Sequence, residues 1–224
     1  MKKYLSSIII GFTIMTICSC SNNSTNTVTG ANGEVYKNYQ EALNDEDFEA
    51  AHKFLSYLYS EYEKTVTENT NFRSSSSSEK IKAKAVAYST AANNVYSGEL
   101  RFLASSNDSL MWEKCILFLR ELPIIGIKYP SQKKLSKYDE TECFTECYQN
   151  YVTLRNSLCN LLLDLAIEKE KKEIANKAIQ CFVENCKIGD EGIFSSNYVY
   201  YGYDDIFAAK MKLEESFPET KSMK

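Results

Sequence analysis

A single histidine, His52, occurs in the 224 residues, so any Ser-His-Asp or Cys-His site would have to be built on that one side chain. The chain has only three prolines and eight glycines. That is too few for a collagen-like or wholly disordered chain, and too few for a turn-rich all-β domain. An excess of positive charge is also lacking. The 26 Lys and Arg stand against 30 Asp and Glu, a formal charge of −4, so a nucleic-acid partner would lack its usual electrostatic footprint. What is present is an apolar fraction of 44%, enough to build a core, together with eight cysteines and sixteen tyrosines.

The first residues read as an address. Lys2 and Lys3 precede an apolar run from Leu5 to Ile17, and the run leaves through Ile17-Cys18-Ser19-Cys20. A basic start, a short apolar stretch and a small-residue exit have the shape of a secretory signal. The run falls short of the ~20 residues a membrane span needs. The exit resembles the bacterial lipobox, with Ser19 as the small residue before the cysteine. An ordinary cleaved signal that contains cysteines is the plainer alternative. The resemblance implies a signal peptide over 1–19, a diacylglycerol thioether on Cys20 and an acylated amine after cleavage. Two or more acyl chains anchor stably where one does not. Ser21 stands where an Asp tends to hold such lipoproteins in the inner membrane, which implies an outer-membrane position facing the periplasm. Losing Lys2 and Lys3 leaves 24 basic and 30 acidic side chains, so the membrane partner is engaged through Cys20 and not through charge. Residues 20–34 are rich in Ser, Asn, Thr and Gly and read as a flexible tether.

From Val35 to the end of the chain the apolar period is helical. Phe48, Ala51, Leu55, Leu58 and Tyr62 alternate three and four; Ile81, Ala85, Tyr88, Ala92, Val95 and Phe102 form a second stripe. The longest is Phe144, Cys147, Tyr151, Leu154, Leu158, Leu161 and Leu165. Polar breaks fall near 46, 107 and 170, and after each comes a small residue with large ones at +4 and +7: Ala51-Leu55-Leu58, Cys115-Leu119-Leu122 and Ala175-Ile179-Phe182. The third break, Glu168 to Glu173, offers no good capping residue, so one continuous helix competes there. This is the pattern of an internal repeat of helical hairpins. The expected fold is all-α: three antiparallel hairpins over 35–224 plus a C-terminal helix from about Asp204 to Phe217. Asn71 to Ser78, with five consecutive serines from Ser74, reads as a flexible loop before a helix starting near Glu79, and Gly189 to Gly192 as the close of the third hairpin. Asp47-Phe48-Glu49-Ala50-Ala51-His52-Lys53-Phe54-Leu55 resembles the second-helix opening of a tetratricopeptide-like repeat. With the lipobox, the chain resembles the small helical, repeat-containing lipoproteins that Gram-negative bacteria make in many copies, most of them without assigned activity. The resemblance implies a short stacked α–α array.

No catalytic constellation, metal set or cofactor motif emerges. Cys143-x₃-Cys147 and Cys181-x₄-Cys186 do not match common zinc spacings. Six cysteines remain in the body, with Cys115, and an oxidising compartment would favour disulfides. Cys159 and Cys181 are each eleven residues from a turn at 170, which makes them the candidate bridge; packed helix axes ~8–10 Å apart oppose it. The stripe positions of Cys147 and Cys181 equally suit small core hydrophobes. Tyr198, Tyr200, Tyr201 and Tyr203 crowd into an apparent loop or short extended piece at 194–203 and are the candidate binding residues. Tyrosine offers flat apolar area and a hydroxyl, suited to protein or glycan contacts, or to capping a repeat stack. Asp108-Ser109-Leu110 resembles an acceptor for protein O-glycosylation, and a helix cap explains it as well. The expected role is a membrane-anchored protein-interaction module without catalysis. The alternative is an accessory glycan- or nutrient-binding lipoprotein that uses the tyrosine segment.

Overall fold

Each of the three polar breaks is a turn between helices. At the first, α1 (Tyr39–Asn44) gives way to α2 (Phe48–Glu68). Glu46 is left-handed at φ 55°, Asp47 N donates to Ala42 O at 2.8 Å and Glu46 N to Leu43 O at 3.1 Å. These bonds satisfy the last carbonyls of α1 in the Schellman arrangement. Asp47 then caps α2, its Oδ1 accepting from Ala50 N at 2.9 Å. At the second, Asp108 divides α3 (Ser75–Ala104) from α4 (Ser109–Glu121), and its Oδ1 accepts from Leu110 N at 2.9 Å.

The third break lies between α5 (Asp139–Glu168) and α6 (Lys172–Glu191) and repeats the first. Glu170 has φ 55°, Lys171 N donates to Ala166 O at 2.7 Å and Glu170 N to Ile167 O at 3.0 Å. No side-chain cap is needed, because a left-handed residue cannot continue a right-handed helix. The continuous-helix alternative is thereby removed. A seventh helix, α7 (Tyr200–Ser216), follows. The fold is all-α, and the only strands among the described residues are β1 (Val28–Thr29) and β2 (Val35–Tyr36), a short antiparallel ladder.

The computed structural model describes residues 27–69, 75–106, 108–123, 125, 139–191 and 200–218, without the side chains of 139–142, 144–145, 185–191 and 200–204. Residues 1–19, read from the sequence as a signal peptide, lie outside the described residues, as do Cys20 and Tyr198. Several boundaries differ from the sequence reading. Ser75 to Ser78 are the first turn of α3, not a loop. Tyr200 to Tyr203 are the first turn of α7, not an extended piece. Helix α6 runs through Gly189 to Glu191. The ladder begins at Val28, inside the segment read as tether, with Val28 and Tyr36 buried. Asp47 explains part of that: its Oδ2 accepts from Ala31 N at 3.2 Å, tying the ladder to the start of α2. Gly30 suits this contact, since a Cβ there would lie 2.1 Å from Asp47 Oδ2 and force that carboxylate away from Ala31 N.

Helix α3 packs between α2 and α5, and α5 also touches α4, α6 and α7. Ala85, Ala91 and Ala92 are buried along α3, and such small side chains let neighbouring helices approach closely. The three post-turn triplets are all buried except Leu58, which is half-buried. Phe102, placed in the α3 stripe by the sequence reading, is 49% exposed; Leu100 and Leu103 take the core positions.

Helices two apart in order are linked at a constant register. Lys82 Nζ reaches Glu146 Oε1 at 2.6 Å, Lys177 Nζ reaches Glu113 Oε1 at 2.6 Å, and Arg120 Nη2 reaches Glu184 Oε1 at 3.5 Å. All three pairs are separated by 64 residues. Asn156 and Asp164 of α5 pair with Asp205 and Lys212 of α7. In both the α4–α6 and α5–α7 pairings the residue numbers rise together, so alternate helices run parallel.

Burial also raises the pKa of several core groups. It pushes the Cys115 thiol up to about 12, the Tyr96 phenol up to about 12, and Tyr88 and Tyr151 upward as well. The folded chain then holds these protons more tightly than the unfolded chain does. Their contribution to stability is complete below the ordinary thiol and phenol values of 9.0 and 10.0, and is lost as pH climbs toward about 12. Alkaline titration should therefore melt the helices in step with tyrosinate absorbance. Ionisation of every tyrosine near its ordinary value with helix content intact would contradict the burial.

Candidate functional site

The residues singled out in the sequence do not converge. Tyr200, Tyr201 and Tyr203 lie on the first turn of α7, with side chains outside the described set. Cys159 and Cys181 are both fully buried and in the thiol form, so the candidate bridge is not made here. Burial pushes the Cys181 thiol up. Cys143 and Cys147, one turn apart on α5, are also buried thiols. Their mutual hydrogen bond holds Cys143 below the ordinary thiol range and, with burial, pushes Cys147 above it. Among the described residues no three His, Cys, Asp or Glu side chains gather as a metal site. Ser109 is exposed at the first position of α4, directly after the capping Asp108.

His52 is better placed than a surface residue. Its Nε2 lies 2.5 Å from Glu99 Oε2, and its ring packs edge-on to Tyr96 at 5.0 Å and tilted to Phe118 at 6.2 Å. These groups, with Glu121 and Pro123, line a shallow hollow of about 310 Å³. The histidine joins α2 to α3 through Glu99, and its ring packs against Tyr96 and Phe118.

A cleft of about 580 Å³ between α5 and α7 is the more informative site. Gln149, Thr153, Asn156 and Asn160 alternate four-three-four along one face of α5, with Ser157 beside them. Tyr148 and Val152 supply apolar surface, and Asp205 closes the side toward α7. Asn156 Nδ2 donates to Asp205 Oδ2 at 2.8 Å. Ile206 and Ala209 are buried and dock α7, and Lys212 pairs with Asp164 further along. The sequence reading passed over this stripe because it holds no histidine, cysteine or carboxylate pair. The available signal was an absence: between Glu146 and Asp164 the only charged residue is Arg155, and it is buried. The outward face of this stretch is thus neutral in a chain that is 25% charged.

No family model, no curated protein and no solved structure matches the chain. No described helix is long and apolar enough to cross a membrane.

Proposed function

We propose that the chain is a lipid-anchored extracytoplasmic lipoprotein whose helical hairpins form a short array that holds a protein partner. It performs no catalysis in this reading. The observation that carries it is that α4 and α6 run parallel and that the α3–α5 and α4–α6 ion pairs share one separation of 64 residues. Equal spacing is what a repeat produces, and stacked repeats present an extended face for binding. Leu110 and Leu117, two turns apart on α4, are 68% and 49% exposed and provide apolar area on such a face. The lipobox-like exit at Cys20 supports the anchor, and Ser21 an outer-membrane position facing the periplasm.

Two measurements test this. With a clickable fatty acid, the native chain should label and Cys20→Ala should not, because only the thiol can take the diacylglycerol. Label retained by Cys20→Ala would remove the anchor. A photo-crosslinking residue at Leu110 or Leu117, in intact envelopes, should yield one discrete adduct of constant mass. Absence of an adduct from both positions would remove the partner reading.

A further inference from the structure

We propose that the α5–α7 cleft is a binding site for a short neutral oligosaccharide. The case starts from how charge is handled where helices meet. At other contacts between alternate helices, carboxylates face cations: Glu146 with Lys82, Glu113 with Lys177, Glu184 with Arg120, Asp164 with Lys212. At the cleft the carboxylate faces an amide instead. Asp205 accepts from Asn156, and among the described residues no cation pairs with it. A carboxylate kept free of a cation retains acceptor capacity for O–H donors.

The rest of the lining narrows the ligand. Gln149 and Asn160 each offer both a donor N–H₂ and an acceptor carbonyl, and Thr153 and Ser157 offer hydroxyls. Vicinal hydroxyls, each at once donor and acceptor, complement that mixture. An anionic ligand would meet Asp205, and among the described lining residues there is no cation to offset it. A purely apolar ligand would strand the amides without partners. The half-buried Val152, with the edge of the largely buried Tyr148, gives apolar surface for the C–H face of a sugar ring. The volume of about 580 Å³ lies within the range of small-ligand sites, which is roughly 300–1,000 Å³. Asn156 is only 7% exposed and held by Asp205, so part of the site is oriented before any ligand arrives.

This site is independent of the partner face on α4, and its test is separate. The full-length protein in detergent is titrated calorimetrically with maltotriose, xylotriose, mannotriose and triacetylchitotriose, and with trigalacturonate as the anionic counterpart. At least one neutral trisaccharide should bind saturably and trigalacturonate should not. Asp205→Ala and Asn160→Ala should each weaken that binding by about ten- to hundredfold, the scale of a lost hydrogen bond to a sugar hydroxyl or stronger. Asp164→Ala breaks the neighbouring α5–α7 ion pair outside the cleft and should leave affinity unchanged. Unaltered circular dichroism keeps a binding loss from being unfolding. The proposal fails if no neutral trisaccharide binds, if trigalacturonate binds more tightly, if both cleft variants bind like the native chain, or if Asp164→Ala weakens binding as much as they do.

Discussion

Leu158→Ala should cost about 2–5 kcal/mol of stability, the range for truncating a fully buried leucine, and Leu58→Ala less than half of that. Both leucines occupy stripe positions on their helices, so sequence spacing alone does not separate them. The structure does. Leu158 is fully buried on α5, a helix that touches α3, α4, α6 and α7, with Leu154, Cys159 and Leu162 buried beside it. A cavity there has helices on several sides and little freedom to collapse. Leu58 is half-buried on α2, whose other face meets solvent, so water replaces part of what is lost. At about 2–4 °C per kcal/mol for a chain of this size, the two melting temperatures should be well apart. Urea denaturation of both variants gives the comparison directly. If Leu58→Ala proves as costly, α5 is not the centre of the core.

The same contrast shows what spacing can and cannot reveal. Helix positions were legible because the apolar stripes of α2, α3 and α5 have a period near 3.6, and the turns near 46, 107 and 170 because polar clusters interrupt those stripes. What stops α5 near 170, and so excludes one continuous helix there, was not legible from its side chains. It rests on Glu170 turning left-handed, a backbone event to which Glu has no special affinity. Ser75 to Ser78 were misread because serine runs suggest linkers, yet serine is tolerated in the first turn of a helix, and Ser78 O accepts from Cys143 Sγ across to α5. Tyr200 to Tyr203 were misread because alternating aromatics suggest strand, while their helix continues into the buried Ile206 and Ala209. The α5–α7 cleft stayed hidden for a different reason. Its residues are ordinary singly, and only the folded helix brings the neutral stripe against Asp205.

Arg155→Met should leave the protein as stable as before or more so, by up to about 4 kcal/mol, as when buried charges elsewhere are exchanged for apolar groups of similar size. Arg155 sits one residue after Leu154 in the midst of the α5 core and is 3% exposed. Its Nη1 donates to Tyr151 Oη at 3.0 Å, and among the described residues its Nε has no hydrogen-bond partner and no carboxylate pairs with it. The guanidinium cannot shed its proton to escape burial, and among the described residues its one hydrogen bond is to a neutral phenol while its buried Nε goes unpaired. Methionine keeps a flexible apolar stem of comparable reach and removes the charge. Arg155→Lys supplies the control, since it keeps the charge and loses the planar fork that reaches Tyr151. It should be the least stable of the three. The phenol adds a second reading: Arg155 holds Tyr151 below where burial alone would push it, so in Arg155→Met that phenol should ionise at still higher pH. If Arg155→Met instead loses more than about 1 kcal/mol while Arg155→Lys does not, the charge itself is stabilising and has a counter-charge in the folded chain.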